Sequence, residues 1–344
     1  MLFHGLQILL ESSRSQDSES FLVPNIPHRI ELTKAQLPEV MRRKSNDLKG
    51  IMDQIKEAAI SAEGALVNSF EDLEPRYVEE YKKVIKKTWC IGPVSLCNKE
   101  KSDMFDRGNK ASIDEQHCLK WLDSMKPSSV IYACFGSLCH IPPAQLIEIG
   151  LGLEASNCPF IWIIRECDYS EEIEKWVEEE RFEERNKVKG LMIRGWAPQV
   201  LILSHPAVGG FLTHCGWNST MEGVCAGVPL ITWPMFAEQF YNEKFVVNVL
   251  RIGVRIGVEF CMEWGGEEKV EVLVKREQVK KAIEQLTEEG DEGEERRKRA
   301  REVAEMAKRA IEEGGSSYLN MTLLIQDVMQ HVINYKVSNQ ESDS

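Results

Sequence analysis

Residues Trp196 to Gln239 read WAPQVLILSHPAVGGFLTHCGWNSTMEGVCAGVPLITWPMFAEQ. Two short apolar runs inside this stretch, Val208–Thr213 and Pro229–Trp233, are each followed at once by polar or turn-forming residues. Each run has the length of a strand buried on both faces. Between them, Asn218 to Ala226 forms a short helix that stops at Gly227, where a left-handed backbone is cheap. Strand, helix and strand in this order make a parallel unit, because parallel neighbours need a crossover between them.

Outward from this unit the alternation continues. Val130–Phe135, Phe160–Ile164 and Gly190–Arg194 read as strands, Pro143–Ala155 as a helix and Gln239–Leu250 as another. The chain from Ile113 onward is therefore α/β, with a parallel sheet covered on both faces. Nearer the start the pattern loosens. Glu31–Ala62 reads as mostly helical, Ala65–Ser69 as a buried strand, Pro75–Lys87 as a helix, and Trp89–Pro93 as a strand closed by Gly-Pro. Residues 95–112 are polar without a sustained period and read as a linker. Residues 276–313 interleave both signs of charge, as a solvated helix face does, with Glu295 and Arg299 one turn apart. Ser316-Ser317 should cap a last amphipathic helix over 318–335, leaving 336–344 as a disordered tail.

The 344 residues carry 42 Lys+Arg against 55 Asp+Glu, a net charge of −13. That balance speaks against nucleic-acid or anionic-membrane partners, whose phosphates attract basic faces. No apolar run approaches the roughly 20 residues of a membrane span. The apolar start, Met1–Leu10, lacks the basic leader and cleavage pattern of a signal peptide. The ten cysteines contain no Cys-x-x-Cys pair, so the expectation is reduced thiols and a cytoplasmic protein.

In an open parallel sheet, ligands bind beyond the carboxyl ends of the strands. Four such ends carry polar or aromatic groups: Gly136-Ser137, Trp196-Ala197-Pro198-Gln199, His214 to Ser219, and Pro234 to Gln239. Asn218 and Ser219 open a helix whose free N–H groups and dipole suit an anion, and His214 adds a donor. No Lys or Arg stands in this segment, so a diphosphate would be held by neutral donors. Glu222, one turn after Asn218, can accept two hydroxyls, as a ribose offers. Trp196 can stack on a flat base. Glu238 and Gln239 open the next helix, where they can pair with sugar hydroxyls. Cys215 beside His214 is not read as a nucleophile, because adjacent residues point apart. Gly150-Leu-Gly152 lies in a helix and lacks the third glycine of a dinucleotide fingerprint, which disfavours an NAD-dependent epimerase.

The stretch from Trp196 to Gln239, with Phe135-Gly-Ser137, Val67-Asn-Ser-Phe70 and Gly314-Gly-Ser-Ser-Tyr318, closely resembles the signature box of plant UDP-dependent glycosyltransferases of small molecules. The resemblance implies a GT-B fold of two Rossmann-like domains with parallel sheets. Residues 1–94 would be an incomplete acceptor domain, 113–317 the UDP-sugar-binding domain, and 318–335 a helix returning to the first. Trp196 would stack on uracil and the backbone of Ala197 pair with its edge. Gln199 and Glu222 would hold the ribose. Ser137, His214, Asn218 and Ser219 would bind the diphosphate, and Trp217, Glu238 and Gln239 the sugar. Gln239 favours UDP-glucose as the donor substrate. No metal and no cofactor are implied, in keeping with the lack of an Asp-x-Asp motif. The acceptor would be a hydroxylated plant metabolite such as a flavonoid, terpenoid or hormone, glucosylated with inversion. The His that serves as base in this family, and its supporting Asp, are expected before Met1, and His4 does not match that position. The competing expectation is a UDP-sugar-binding remnant or regulator that transfers nothing.

Overall fold

The computed structural model describes residues 19–42, 46–97, 100–105, 108–168, 170–262 and 272–342. The start through residue 18, with His4, lies outside the described residues, as do the last two of the tail.

Six strands form one sheet: β5 (Val130–Cys134), β6 (Phe160–Ile164), β7 (Gly190–Arg194), β8 (Val208–Thr213), β9 (Leu230–Thr232) and β10 (Gly253–Arg255). Their order is β10-β9-β8-β5-β6-β7, and every pair is parallel. The chain thus winds one way from β5 to β7 and then returns beside β5 to wind the other way. Five of these strands match the sequence reading. The sixth, β10, went unread because three residues ending in Arg255 carry no apolar run.

Side chains alternate across the sheet with period two. Ile131 and Ala133, with Phe160, Trp162 and Ile164, share one core with the Pro143–Ala155 and Arg276–Thr287 helices. Val130 and Tyr132, with Ile161 and Ile163, share the other with the Trp217–Ala226 and Asp291–Ile311 helices. Burial on both faces accounts for continuous apolar strands rather than alternating ones. The two helical glycines are packing sites: a Cβ on Gly150 would stand 2.9 Å from the Trp162 ring, and one on Gly152 2.5 Å from Val279.

The preceding strands are β1 (Ser20–Leu22), β2 (Glu31–Thr33), β3 (Ala65–Val67) and β4 (Thr88–Cys90). β1 and β2 pair antiparallel, so the region read as helix from Glu31 begins instead as a strand. Helix follows at Glu39–Arg42 and Asn46–Ser61. Val23, Ile30, Leu32 and Leu37 bury into the first core of the large sheet. β3 and β4 pair parallel, and Leu66 is 57% exposed, so β3 is less buried than its apolar letters suggest. The stretch read as a linker contains a short helix, Lys101–Phe105.

The last helix spans Ser316–Ser342, past the point where polar residues suggested a disordered tail, since no Gly or Pro interrupts it. The hydroxyls expected to cap it reach across the molecule instead. Ser316 Oγ donates to Asp72 at 2.7 Å, and Ser317 Oγ donates to the Gly92 carbonyl. Among the described residues no disulfide forms, and no helix is long and apolar enough to cross a membrane.

Candidate functional site

At the carboxyl edge of the sheet the chain turns sharply. Gly136 (φ 72°), Gly195 (φ 110°), Cys215 (φ 65°) and Ala237 (φ 53°) follow β5, β7, β8 and β9, all left-handed. For Cys215 and Ala237 that conformation costs about 1–2 kcal/mol each, which the surrounding packing must hold in place. The Cys215 turn is supported from behind, where Asn242 Nδ2 donates to its carbonyl at 2.8 Å.

The turns at Gly136 and Gly195 help line a cleft of about 310 Å³. It lies where the strand order reverses, the usual ligand position in doubly wound sheets. Ser137 comes from the β5 loop, Trp196, Ala197 and Gln199 from the β7 loop, and Asn218, Ser219 and Glu222 from the helix after β8. Residues far apart in sequence thus line one wall.

Gln199 organises the carboxylate end. Burial pushes the Tyr132 phenol far above its usual range, so it stays protonated and donates to Gln199 Oε1 at 3.3 Å. That orients the amide nitrogen toward Ser219 Oγ (3.1 Å) and Glu222 Oε2 (2.7 Å). Glu222 is thereby held as an acceptor for hydroxyl donors. Trp196 is fixed through its backbone: its N–H donates to Ser112 Oγ at 2.9 Å, and its carbonyl accepts from the Ser112 N–H at 2.8 Å. A Cβ on Gly108 would stand 2.5 Å from the indole, so the chain approaches that ring edge closely only because residue 108 is glycine.

The remaining predicted residues lie outside the cleft lining. His214 is 9% exposed and sits between two glycines: a Cβ on Gly136 would stand 2.5 Å from its ring, and one on Gly216 2.4 Å. Burial, reinforced by Arg165, pushes its pKa down to about 4, so the ring is neutral at pH 7. Its Nδ1 has no partner among the described residues. Trp217 turns its indole away, donating from Nε1 to the Asn68 carbonyl at 2.8 Å. Gln239 is buried, and its Oε1 accepts from the N–H groups of Met235 (2.9 Å) and Phe236 (3.1 Å). Glu238 is exposed at the start of the same helix.

Two functional candidates were given no role by the sequence reading. Arg165 lines the cleft. Burial opposes its charge, but Asp168 outweighs that by accepting at 2.8 and 2.9 Å, so the guanidinium stays cationic. It directly follows β6, and the rule applied to the other strand ends would have found it. Asn68 donates from Nδ2 to Asn218 Oδ1 at 3.0 Å. It stands 150 residues away, and nothing local announces that contact.

Among the described residues no group of His, Cys, Asp and Glu is arranged to hold a metal ion. The cleft as built offers an aromatic face, a carboxylate for hydroxyls, a helix start with amide and hydroxyl donors, and one guanidinium. Such a set suits a base, a ribose and an anion in a row.

The family described as "UDP-glucoronosyl and UDP-glucosyl transferase" matches residues 83–288. UDP-glycosyltransferase 73C3 of Arabidopsis thaliana is 55% identical over 323 residues, which is 94% of this chain and 65% of that protein. UDP-glycosyltransferase 73C25 of Barbarea vulgaris is 53% identical over 345 residues, 96% of this chain and 69% of its own. Among solved structures, Glycyrrhiza uralensis UGT73P12 complexed with glycyrrhetinic acid 3-O-monoglucuronide superposes with a TM-score of 0.89 at 41% identity. That match covers 99% of this chain and 69% of the other. Medicago truncatula UGT71G1 complexed with UDP-glucose gives 0.69 at 29% identity, covering 94% and 68%. The chain therefore spans about two thirds of the length of these relatives.

Proposed function

The chain belongs to the family of UDP-glucuronosyl and UDP-glucosyl transferases and has its GT-B fold, and on that premise we propose that the cleft binds UDP-glucose for transfer to a small plant metabolite. The observation that carries the reading is the convergence of Trp196, Gln199, Asn218, Ser219 and Glu222 on one cleft. Uracil stacks on Trp196 and pairs with the backbone of Ala197. The ribose hydroxyls donate to Glu222, which Gln199 holds. The diphosphate lies at the start of the Trp217–Ala226 helix, near Ser137, with the neutral His214 behind it. The glucose extends toward Glu238 and Gln239. Trp217 supports the wall from outside. The acceptor is a flavonoid, terpenoid or hormone hydroxyl, held on the side of residues 1–94. Its oxygen attacks the anomeric carbon as UDP leaves, inverting that centre, and a base takes the hydroxyl proton. We place the protein in the cytoplasm.

A second reading, a UDP-sugar-binding unit that transfers nothing alone, is favoured by one observation. Glu222 is the only carboxylate lining the cleft among the described residues, and His214, buried and neutral, does not line it. Calorimetric titration with UDP-glucose, followed by incubation with a panel of hydroxylated acceptors, decides between them. Binding with glucoside formation supports transfer by this chain. Binding without product supports the second reading. No binding of UDP-glucose overturns both.

A further inference from the structure

Asn218 stands at the first turn of the Trp217–Ala226 helix, where an anion would lie. Its side-chain amide has two ends of opposite polarity, and only the nitrogen can donate to a phosphate. Which end faces the cleft is settled from outside the helix. The backbone N–H of Val94, which can only donate, bonds Asn68 Oδ1 at 3.0 Å. The Asn68 nitrogen must then point the other way, and it donates to Asn218 Oδ1 at 3.0 Å. With its oxygen engaged there, Asn218 has its nitrogen left to face the cleft.

The rest of the Asn68 environment keeps this relay rigid. Its carbonyl accepts from Trp217 Nε1 at 2.8 Å, so side chain and backbone both tie β3 to the start of that helix. A Cβ on Gly92 would stand 2.5 Å from Asn68 Oδ1 and 2.7 Å from the Ser69 nitrogen, so glycine is needed for the Val94 turn to come this close. Gly92 N in turn donates to the Ser69 carbonyl at 2.9 Å.

We infer that Asn68 is a positioning residue that fixes the polarity of Asn218, turning its N–H toward the diphosphate of a bound nucleotide sugar. The inference rests on the reading of the cleft as a UDP-sugar site. It links the amino-terminal segment to the donor site through a hydrogen-bonded pair of side chains, in addition to the apolar packing of the core.

Asn68→Asp separates this role from a structural one. The substitution keeps the shape and still accepts from Val94. Its second oxygen cannot donate, so Asn218 must flip and present its own oxygen to the phosphates. Calorimetric affinities for UDP and for uridine, which lacks phosphates, read the effect. Asn68→Asp should weaken UDP by about tenfold or more while leaving uridine within about twofold, and Asn68→Ala should weaken UDP less. In an Asn218→Ala background the Asp substitution should have no further effect on UDP, since the group it flips is gone. An unchanged UDP-to-uridine ratio overturns the inference. So does an Asp effect that persists without Asn218, because that would be simple charge repulsion. If Asn68→Asp does not fold, Val94→Pro removes the N–H that fixes which way the Asn68 amide points, at an exposed first position of a short helix where proline is accepted. It should weaken UDP severalfold and spare uridine, and equal affinities for both ligands before and after overturn the inference. Failure of the unaltered protein to bind UDP breaks the reading of the cleft instead.

Discussion

β5 and β6 bury nearly every side chain they carry, whereas β3 exposes Leu66, and the last helix exposes Leu323, Ile325, Val328 and Met329, each more than half open to solvent. The large sheet is held by apolar side chains on both faces. The amino-terminal segment and the last helix meet largely through polar bonds: Ser317 to Gly92, Ser316 to Asp72, and Lys87 to Asp327 at 2.7 Å. Apolar burial is non-directional and tolerant, while a hydrogen bond depends on placement to a few tenths of an ångström. The sheet thus gives the cleft a rigid floor, whereas the join between the amino-terminal segment and the last helix depends on a few directional contacts.

The largest expected effect tests that contrast directly. Trp162 is fully buried in β6 and touches Phe182 edge-on at 5.9 Å, so Trp162→Ala should destabilise the protein by about 3–5 kcal/mol. Ile325 on the last helix is 52% exposed, and Ile325→Ala should stay within about 0.5 kcal/mol. Urea denaturation midpoints compare the two, and equal losses would erase the distinction between the sheet and the last helix.

The same contrast explains what could be read in the sequence. Burial on both faces writes itself as a continuous apolar run, so five of the six strands were legible. The loops at their ends were legible because position along a strand fixes which edge a loop occupies. The pairing of β2 with β1 was not, since Glu31-Leu-Thr33 is too short to distinguish from the helical residues after it. Nor was the use of Trp217: its neighbours face the cleft, and only tertiary packing shows the indole turned to Asn68. Directional contacts between distant segments leave no period in the chain, so Asn68 stood only inside the Val67–Phe70 resemblance, without a role, where Trp196 and Glu222 could be given one.

His214 is buried at the edge of the sheet behind the cleft, and its titration gives the next effect in size. Its pKa falls from 6.5 to about 4 on folding, mainly by burial. Between those values the unfolded chain binds more protons than the folded one, so stability falls as pH drops through that window. The contribution is fully present above pH 6.5 and amounts to about 3 kcal/mol lost by pH 4. His214→Ala should remove this part of the acid sensitivity while weakening UDP binding at neutral pH. Chemical denaturation at pH 7, 5.5 and 4 checks it. A variant with the same acid slope as the parent would show that the imidazole is not held neutral by the sheet edge.

The smallest effect concerns donor choice, and it asks whether the directional contacts that hold the β9 loop matter to it. The resemblance assigns Gln239 to glucose and a histidine in its place to galactose. The side chain also accepts from two backbone N–H groups, at Met235 and Phe236, just before the left-handed Ala237. Histidine offers a single acceptor nitrogen and cannot hold both. Gln239→His should therefore shift the ratio of UDP-galactose to UDP-glucose affinity upward by roughly tenfold or less, the scale of one altered hydrogen bond. Gln239→Glu keeps an oxygen that accepts from both N–H groups while removing the side-chain N–H donors. A shift in the histidine variant alone means that Gln239 acts through the loop it holds. A shift in both means that its amide nitrogen meets the sugar. Unchanged ratios in both would remove Gln239 from donor selection and leave that choice to Glu238 and the acceptor side.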